Sequence, residues 1–297
     1  MKTAKKIQII SLIACISVIL IFATTLNSKK LILNEGTANF FPTKVDFAGE
    51  NTPLQISDVR ERMDRELIVN ANLHGSNTLI IKRANRVFPI IEPILKKYGV
   101  PDDFKYLAVI ESGLINAVSP SGAKGVWQFM PDTAKERGME VNDIVDERYH
   151  LEKATEAACK YLNDAKNKLG SWTLAAASYN GGMSGILKQM DSQKSTDYYD
   201  LMLTDETYRY VFRIIALKEI MKNPQLYGFD VKSESLYDKL PIRKIEIDSS
   251  ISDLAVFAKN QGINYKILKI HNPWLRDKKL TNLNKKKYVL DIPTAGY

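Results

Sequence analysis

Apolar residues recur at helical spacing between residues 56 and 230. Residues 58–73 carry an apolar residue at about every third or fourth place. Residues 83–98 carry an apolar stripe that Pro89 and Pro93 are expected to kink or divide. Cap, glycine and proline signals predict four further helices, over residues 99–113, 151–169, 172–179 and 205–221. The pattern indicates a mainly α domain over residues 56–235, with a linker at residues 31–55.

The last 58 residues change character. Residues 242–247 alternate apolar and polar positions as a half-buried strand does, and residues 287–293 predict a second strand. Two short helical patterns lie between them, at about residues 250–260 and 264–270. We therefore expect a small α+β module of strand-helix-helix-strand order over residues 240–297.

The N-terminal segment predicts export. Residues 7–26 contain no charged side chain, and a mostly apolar run of this length is enough for a helix to cross a bilayer. The three lysines before this run favour a cytoplasmic N-terminus. We expect residues 1–30 to be a retained signal anchor, ahead of a cleaved signal peptide. A lipoprotein leader around Cys15 ranks third, because the residues after Cys15 stay apolar. The protein is therefore expected in the cell envelope or periplasm.

The net charge of +8 is unevenly distributed. Residues 1–30 carry five lysines and no acidic residue, and residues 240–297 carry eleven Lys or Arg against five Asp or Glu. The residues between them are slightly acidic. This distribution does not favour a nucleic-acid-binding core, and we predict no nucleic-acid partner.

Metal and cofactor motifs are absent from the sequence. The three histidines are far apart, and neither a CxxC nor an HExxH pattern occurs. No glycine-rich phosphate loop is present, so we predict neither a metal nor a cofactor. Chemistry in this chain is expected to depend on carboxylates, hydroxyls and amides.

Glu111 has the features of a general acid. It follows an apolar helix face and lies in the last turn before Gly113. Apolar surroundings and the negative end of a helix both disfavour the charged carboxylate. The carboxyl group is therefore expected to stay protonated near neutral pH, although the residue alone is also compatible with a surface glutamate at a helix end.

Two further segments add groups that could contact a ligand. Residues 119–131 place two glycines before Gln128, whose amide offers both a donor and an acceptor. Residues 175–182 end a helix of small residues with Tyr179 and Asn180. Taken singly, each segment is equally compatible with a purely structural turn or helix cap.

Together, these motifs closely resemble those of family 1 lytic transglycosylases, in the membrane-bound MltD-like branch. The resemblance covers about residues 85–215. Its motifs are Glu111-Ser112, the loop at residues 122–131, Ser178-Tyr179-Asn180-Gly181-Gly182, a late tyrosine after Glu206-Thr207, and the triplet Asp146-Glu147-Arg148. Val126 and Ser178 replace the usual Leu and Ala. The resemblance implies a lysozyme-like helical fold and peptidoglycan glycan strands as the substrate.

The resemblance also implies the roles of individual residues. Glu111 would be the catalytic acid and base, and Gln128 and Asn180 would hold the N-acetyl and hydroxyl groups of the sugar. Tyr179 and Tyr210 would line the cleft beside Glu111. Ser112 and Ser119 are weaker candidates for substrate-binding residues, through hydrogen bonds that support the glutamate.

The implied reaction joins two atoms of one sugar. Most glycosidases use two carboxylates, whereas no second acid stands at a persuasive position here; Asp132 is expected at a helix N-terminus. The family mechanism uses one glutamate and forms a 1,6-anhydro end without water. A hydrolase (muramidase or chitinase) on the same fold and a non-catalytic wall-binding protein are the alternatives.

The C-terminal module resembles a degenerate LysM domain. The matching features are the element order, Asp253-Leu254-Ala255, Asn272-Pro273 and Ile292-Pro293. The resemblance implies glycan binding by this module, while a solvated basic face on a packing module remains an equal alternative.

Overall fold

The structure, a computed structural model, describes residues 40–297. The predicted N-terminal membrane segment lies outside these residues. Within residues 40–297, no helix has the length and the apolar character that a bilayer crossing needs.

Eight α-helices make up the larger of the two parts that the structure describes. They are α1 (Ser57–Ala71), α2 (His74–Lys97), α3 (Lys105–Ser112), α4 (Pro131–Glu136), α5 (Leu151–Leu169), α6 (Trp172–Gly181), α7 (Met183–Gln193) and α8 (Asp205–Lys222). The predicted helices at α1, α5, α6 and α8 are confirmed within a few residues. The helix predicted over residues 99–113 is shorter: α3 begins at Lys105, after a 3-10 turn at Asp102–Phe104. The chain is mainly helical, as the periodicity predicts.

Helix α2 differs from the prediction of a divided helix. It begins nine residues earlier than predicted, at His74, and continues through Pro89 and Pro93. Both prolines lie on its exposed face, so water can reach the carbonyl groups that lose a hydrogen bond. The buried face, with Val87, Ile91 and Leu95, packs into the core and holds the helix together.

Small residues bring the central helices close together. Helix α6 packs against α5 and α8, and its residues from Thr173 to Ser178 are all buried. Three successive alanines in this stretch leave room for close contact between helix backbones. Helix α3 packs against α8 as well. This arrangement brings the end of α3, the end of α6 and the start of α8 into one region.

Residues 40–55 do not behave as the predicted linker. They form a short antiparallel hairpin, β1 (Asp46–Phe47) and β2 (Glu50–Asn51). Val45 and Phe47 are buried in the core of the helical domain. The buried amine of Lys218, on α8, donates hydrogen bonds to the Asp46 carbonyl oxygen at 2.9 Å and to Asp103 Oδ2 at 2.6 Å. The hairpin is thus part of the helical domain.

The C-terminal module has the predicted order of elements. Strands β3 (Ile242–Ile247) and β4 (Tyr288–Pro293) pair antiparallel, and helices α9 (Leu254–Asn260) and α10 (Tyr265–His271) lie between them in sequence. The module has its own apolar core, which includes Leu254, Leu268 and Leu290.

The module is docked on the segment that precedes α5. Val145 and Tyr149, from the helical domain, are buried in the module's core. The Asp146 N–H donates to the Trp274 carbonyl oxygen at 2.9 Å, and the Arg276 N–H donates to the Ile144 carbonyl oxygen at 2.8 Å. These backbone hydrogen bonds fix the module against the helical domain.

Candidate active site

Glu111 lies in the last turn of α3. The helix ends at Gly113, which has the left-handed conformation (φ +61°) that glycine adopts without strain. Burial of the Glu111 carboxyl raises its pKa to about 7, and the negative charge of Glu206 acts in the same direction. A hydrogen bond from Tyr210 and the positive charge of Arg213 oppose this rise. The pKa is raised, which is the direction expected from the sequence, and near neutral pH the carboxyl exists in both protonation states.

Tyr210 is the hydrogen-bond donor to Glu111. It lies on α8 and is buried, and its hydroxyl donates to Glu111 Oε1. Burial raises the pKa of Tyr210 well above its ordinary value, and the neighbouring carboxylate adds to this rise. Tyr210 therefore keeps its proton as Glu111 titrates. The expected position of this tyrosine beside the glutamate is found in the structure.

Tyr179 connects α6 to the loop that carries Gln128. Its hydroxyl donates to the Trp127 carbonyl oxygen at 2.8 Å. Its ring packs edge-on against Tyr161 and Phe129, with ring centroids 5.3 and 6.0 Å apart. The hydroxyl is thus engaged within the protein, while the charge of Glu111 is close enough to raise the pKa of Tyr179 in addition to burial.

The side-chain amide of Gln128 has its donor group, but not its acceptor, engaged in hydrogen bonds within the protein. Its Nε2 donates to the Gly125 carbonyl oxygen at 2.7 Å and to the Ala117 carbonyl oxygen at 3.1 Å. Gln128 also has a left-handed backbone (φ +50°), which is uncommon for a residue with a side chain and clusters at functional sites. Both donor hydrogens face the loop, so Oε1 is the atom left to accept a hydrogen bond from a ligand.

In Asn180 the acceptor is engaged and the donor group is left available. Its Oδ1 accepts a hydrogen bond from Thr207 Oγ1 at 2.7 Å, which leaves the Nδ2 hydrogens available as donors. Thr207 lies at the start of α8 and is buried. The sequence analysis quoted this threonine within a motif but did not assign it this positioning role.

Ser112 and Ser119 are engaged in local structure. Ser112 Oγ donates to the Val126 carbonyl oxygen at 2.8 Å and accepts from the Leu114 N–H at 3.1 Å. Ser119 Oγ accepts from the Ala123 N–H at 3.0 Å. Within residues 40–297, neither serine forms a hydrogen bond to Glu111. Their direct contribution is to hold the loop after α3 in shape.

The ion pair between Arg148 and Asp146 stabilises the loop that carries Gln128. The Arg148 guanidinium donates to both oxygens of Asp146, each at 2.8 Å. Its remaining Nη1 donates to the Gly122 carbonyl oxygen at 3.1 Å and to the Phe129 carbonyl oxygen at 3.2 Å. All four residues of this network lie in the two loops that follow α3 and α4. Because the two loops are separated in sequence, this contact could not be predicted from local patterns. The Asp146-Glu147-Arg148 triplet was noted as a motif, but its partners in the other loop were not.

Gly125 lets these two loops approach each other. It has φ +83°, and a Cβ built on it would lie 1.9 Å from the Arg148 carbonyl oxygen. No side chain fits in that space. The loop thus depends on this glycine for its position, and the position of Gln128 depends on the loop.

Metal-ligand geometry is not found in the part of the chain that the structure describes: no three His, Cys, Asp or Glu residues in it are arranged to hold a metal ion. Asp132 lies in the first turn of α4, as its position after Pro131 predicts. Cys159 is buried in the core of the helical domain.

Comparison with known proteins identifies both domains. Residues 88–202 match the family described as the transglycosylase SLT domain, and residues 243–296 match the soluble lytic transglycosylase C-terminal LysM-like domain. Over 236 residues, the chain is 28% identical to the membrane-bound lytic murein transglycosylase D of Escherichia coli strain K12. It is equally similar to the protein of that name from E. coli O6:H1.

These alignments cover 76% of this chain and 50% of each relative. The chain therefore spans about half the length of the relatives that it matches. The chain is thus similar to these murein transglycosylases, and it contains one segment that matches the transglycosylase SLT domain followed by one that matches the LysM-like domain.

Proposed function

We propose that this protein is a peptidoglycan lytic transglycosylase, a lyase that cleaves the β-1,4 bond between N-acetylmuramic acid and N-acetylglucosamine. The observation that carries the proposal is the Glu111 carboxyl group, whose pKa of about 7 lets it exist in both protonation states near neutral pH. It belongs to an SLT domain, the domain type of lytic transglycosylases.

The proposed reaction uses Glu111 twice. The protonated carboxyl donates its proton to the bridging oxygen, and the bond between this oxygen and C1 of the muramoyl sugar breaks. The resulting carboxylate then accepts the proton of the C6 hydroxyl of the same sugar, whose oxygen bonds to C1. The product is a 1,6-anhydro end, no water is consumed, and the glutamate regains its proton. Because the nucleophile and the electrophile belong to one sugar, the attack is intramolecular and entropically favoured.

The surrounding groups fit a sugar with an N-acetyl substituent. The free Oε1 of Gln128 is an acceptor for an amide N–H, and the free Nδ2 of Asn180 is a donor for a carbonyl or hydroxyl oxygen. We assign substrate binding to these two atoms. Tyr210 and Tyr179 form the wall beside the glutamate, and Ser112 and Ser119 act through the loop.

The setting of the reaction is proposed to be the cell envelope. The uncharged segment at residues 7–26 would anchor the enzyme to a membrane with the SLT domain in the periplasm. The LysM-like module would bind glycan and keep the enzyme on its polymer, in turnover or remodelling of the wall.

Mass spectrometry of digested murein tests the proposal. The wild-type protein is expected to release fragments with 1,6-anhydro ends, and Glu111→Gln to release none. Fragments heavier by one water would instead identify a hydrolase. Binding to murein without any cleavage by the wild-type protein would identify a non-catalytic wall-binding protein. Continued formation of anhydro fragments by Glu111→Gln would exclude Glu111 as the catalytic group.

A further inference from the structure

A pocket lies between the SLT domain and the LysM-like module. Its volume is about 440 Å³, within the range of roughly 300–1,000 Å³ that is typical of sites for small ligands. One wall comes from α2, from the loop after α3 and from the start of α5. The other comes from the module, and includes Ile242, Ile270, His271, Trp274 and Asp291. The pocket therefore exists only because the two domains are docked together.

Asp291 presents a carboxylate that lacks a close partner. Its backbone is fixed on both sides by Asn272, through hydrogen bonds of 2.8 Å to the Asp291 N–H and carbonyl groups. The nearest cation in residues 40–297 is Lys244, whose Nζ is 3.9 Å from Asp291 Oδ1. This distance is too long for a hydrogen bond. Burial raises the pKa of Asp291, so a cationic ligand group would find a poorly solvated carboxylate there.

The other carboxylate of the pocket lies next to a histidine of its own domain. Glu152 Oε2 lies 3.3 Å from His150 Nδ1. Although burial acts to raise the pKa of Glu152, this contact with His150 lowers it to about 2. Glu152 thus stays charged, and the His150 ring of its own domain lies beside it. Asp291 is the pocket carboxylate with capacity for a ligand.

Arg86 offers the complementary charge from the opposite wall. It lies on α2, is exposed, and forms no ion pair within residues 40–297. Apolar side chains lie along the pocket, among them Ile90, Leu114 and Trp274. A cation from one domain and an anion from the other, with apolar surface around them, match a ligand that carries a carboxylate and an ammonium group.

The pocket adjoins the end of the catalytic helix. Leu114, in its wall, follows Glu111 by three residues, and its N–H donates to Ser112 Oγ. Val126, also in the wall, accepts a hydrogen bond from Ser112. The pocket wall and the helix that carries Glu111 are thus joined through the hydrogen bonds of Ser112.

We infer that this pocket binds the peptide stem attached to the glycan, with a stem carboxylate on Arg86 and a stem ammonium group on Asp291. This inference rests on the proposed function, since it assigns a peptide-bearing strand as the preferred substrate. It gives the docked module a role in choosing the substrate, in addition to any binding of glycan.

Direct binding of a sugar-free peptide tests the pocket without catalysis. Isothermal titration of the whole chain with L-alanyl-γ-D-glutamyl-meso-diaminopimelate is expected to show saturable binding. Asp291→Asn and Arg86→Gln should each weaken it about tenfold, because each removes a charge-assisted hydrogen bond. Asp248→Asn is the matched control, since Asp248 is an exposed carboxylate of the same module outside the pocket. Thermal unfolding of all variants checks that the fold is intact.

Turnover provides the second measurement. The ratio of kcat/KM for peptide-bearing strands to kcat/KM for strands stripped of peptide should fall about tenfold in Asp291→Asn and stay unchanged in Asp248→Asn. Absence of peptide binding, or equal effects of the two aspartate variants, would overturn the inference while leaving the proposed reaction intact. Absence of anhydro products from the wild-type protein would overturn the proposed reaction, and the titration would still report on the pocket.

Discussion

The Tyr210 hydroxyl donates a hydrogen bond to Glu111 Oε1, across 99 residues of sequence. A hydrogen bond to a carboxylate stabilises its charged form, whereas burial destabilises it. The two effects act on the same group in opposite directions, and burial is the larger. The pKa of about 7 thus results from burial, which raises it, and from the Tyr210 hydrogen bond, which lowers it. Tyr210 keeps the pKa of Glu111 within the range in which the carboxyl can both donate a proton and accept one.

Tyr210→Phe is expected to disturb this balance. Loss of the hydrogen bond should raise the pKa of Glu111, so the alkaline limb of the pH profile of kcat should move to higher pH. The maximal rate should fall roughly 10–100-fold, because a carboxyl group with a higher pKa donates its proton less readily and is less well positioned. Tyr208→Phe is the control, since the Tyr208 hydroxyl contacts Asp58 instead. An alkaline limb that stays in place would contradict the proposed role of Tyr210.

Glu111→Gln is expected to change the pH dependence of stability. The pKa of Glu111 is about 7 in the folded protein and near 4.3 in an unfolded chain. Between these values the unfolded state loses its proton first, so the wild-type protein loses stability as pH rises through this window. Glutamine does not titrate, and the variant should therefore be more stable than the wild-type protein at pH 8, by up to about 4 kcal/mol.

Urea unfolding at pH 4.5 and at pH 8 measures this difference. The gain from Glu111→Gln should be small at the lower pH, where the carboxyl is protonated in the folded state and still partly protonated in the unfolded state. Equal gains at both values would mean that the carboxyl is not held in its neutral form by burial.

Local signals in the sequence predict one half of the site. The end of α3 at Gly113 and the low polarity before Glu111 are both readable within a few residues, and they suffice to predict the raised pKa. The contact with Tyr210 is different, because helical spacing gives no register between α3 and α8. Only the resemblance to a family suggested that this tyrosine lies beside the glutamate.

The hairpin of β1 and β2 could not be predicted from the hydrophobic periodicity of the sequence. Two strands of two residues each are too short to produce an alternating pattern. Phe47 is nevertheless fully buried, and Lys218 reaches the Asp46 carbonyl from a helix 172 residues away. Packing of this kind depends on tertiary contacts, as does the support of the Gln128 loop by Arg148.

Gly125→Ala is expected to unfold this loop locally. The added methyl group would overlap the Arg148 carbonyl oxygen, so the loops would have to separate and Gln128 would move. Gly122→Ala is the matched control, because Gly122 also has a positive φ (+88°) but an added Cβ there would meet no atom within 4 Å. Equilibrium unfolding should place Gly125→Ala about 2 kcal/mol below the control, with a larger loss of turnover. Equal stabilities would mean that the contact is not restrictive.

Glu50, at the start of β2, is expected to stabilise the start of α6. Its carboxylate accepts hydrogen bonds from the Trp172 and Thr173 N–H groups at 2.7 and 2.8 Å, and from Thr173 Oγ1 at 2.6 Å. These donors have no partner within the helix, and a negative charge near a helix N-terminus is favourable. Glu50→Ala should therefore lower the free energy of unfolding by about 2 kcal/mol, whereas Glu136→Ala, at an exposed position on α4, should change it little. Because α6 carries Tyr179 and Asn180 at its other end, the same variant should lose activity at a lower urea concentration than the wild-type protein. Unchanged stability of Glu50→Ala would show that the hydrogen bonds of Glu50 to the N-terminus of α6 do not stabilise the fold.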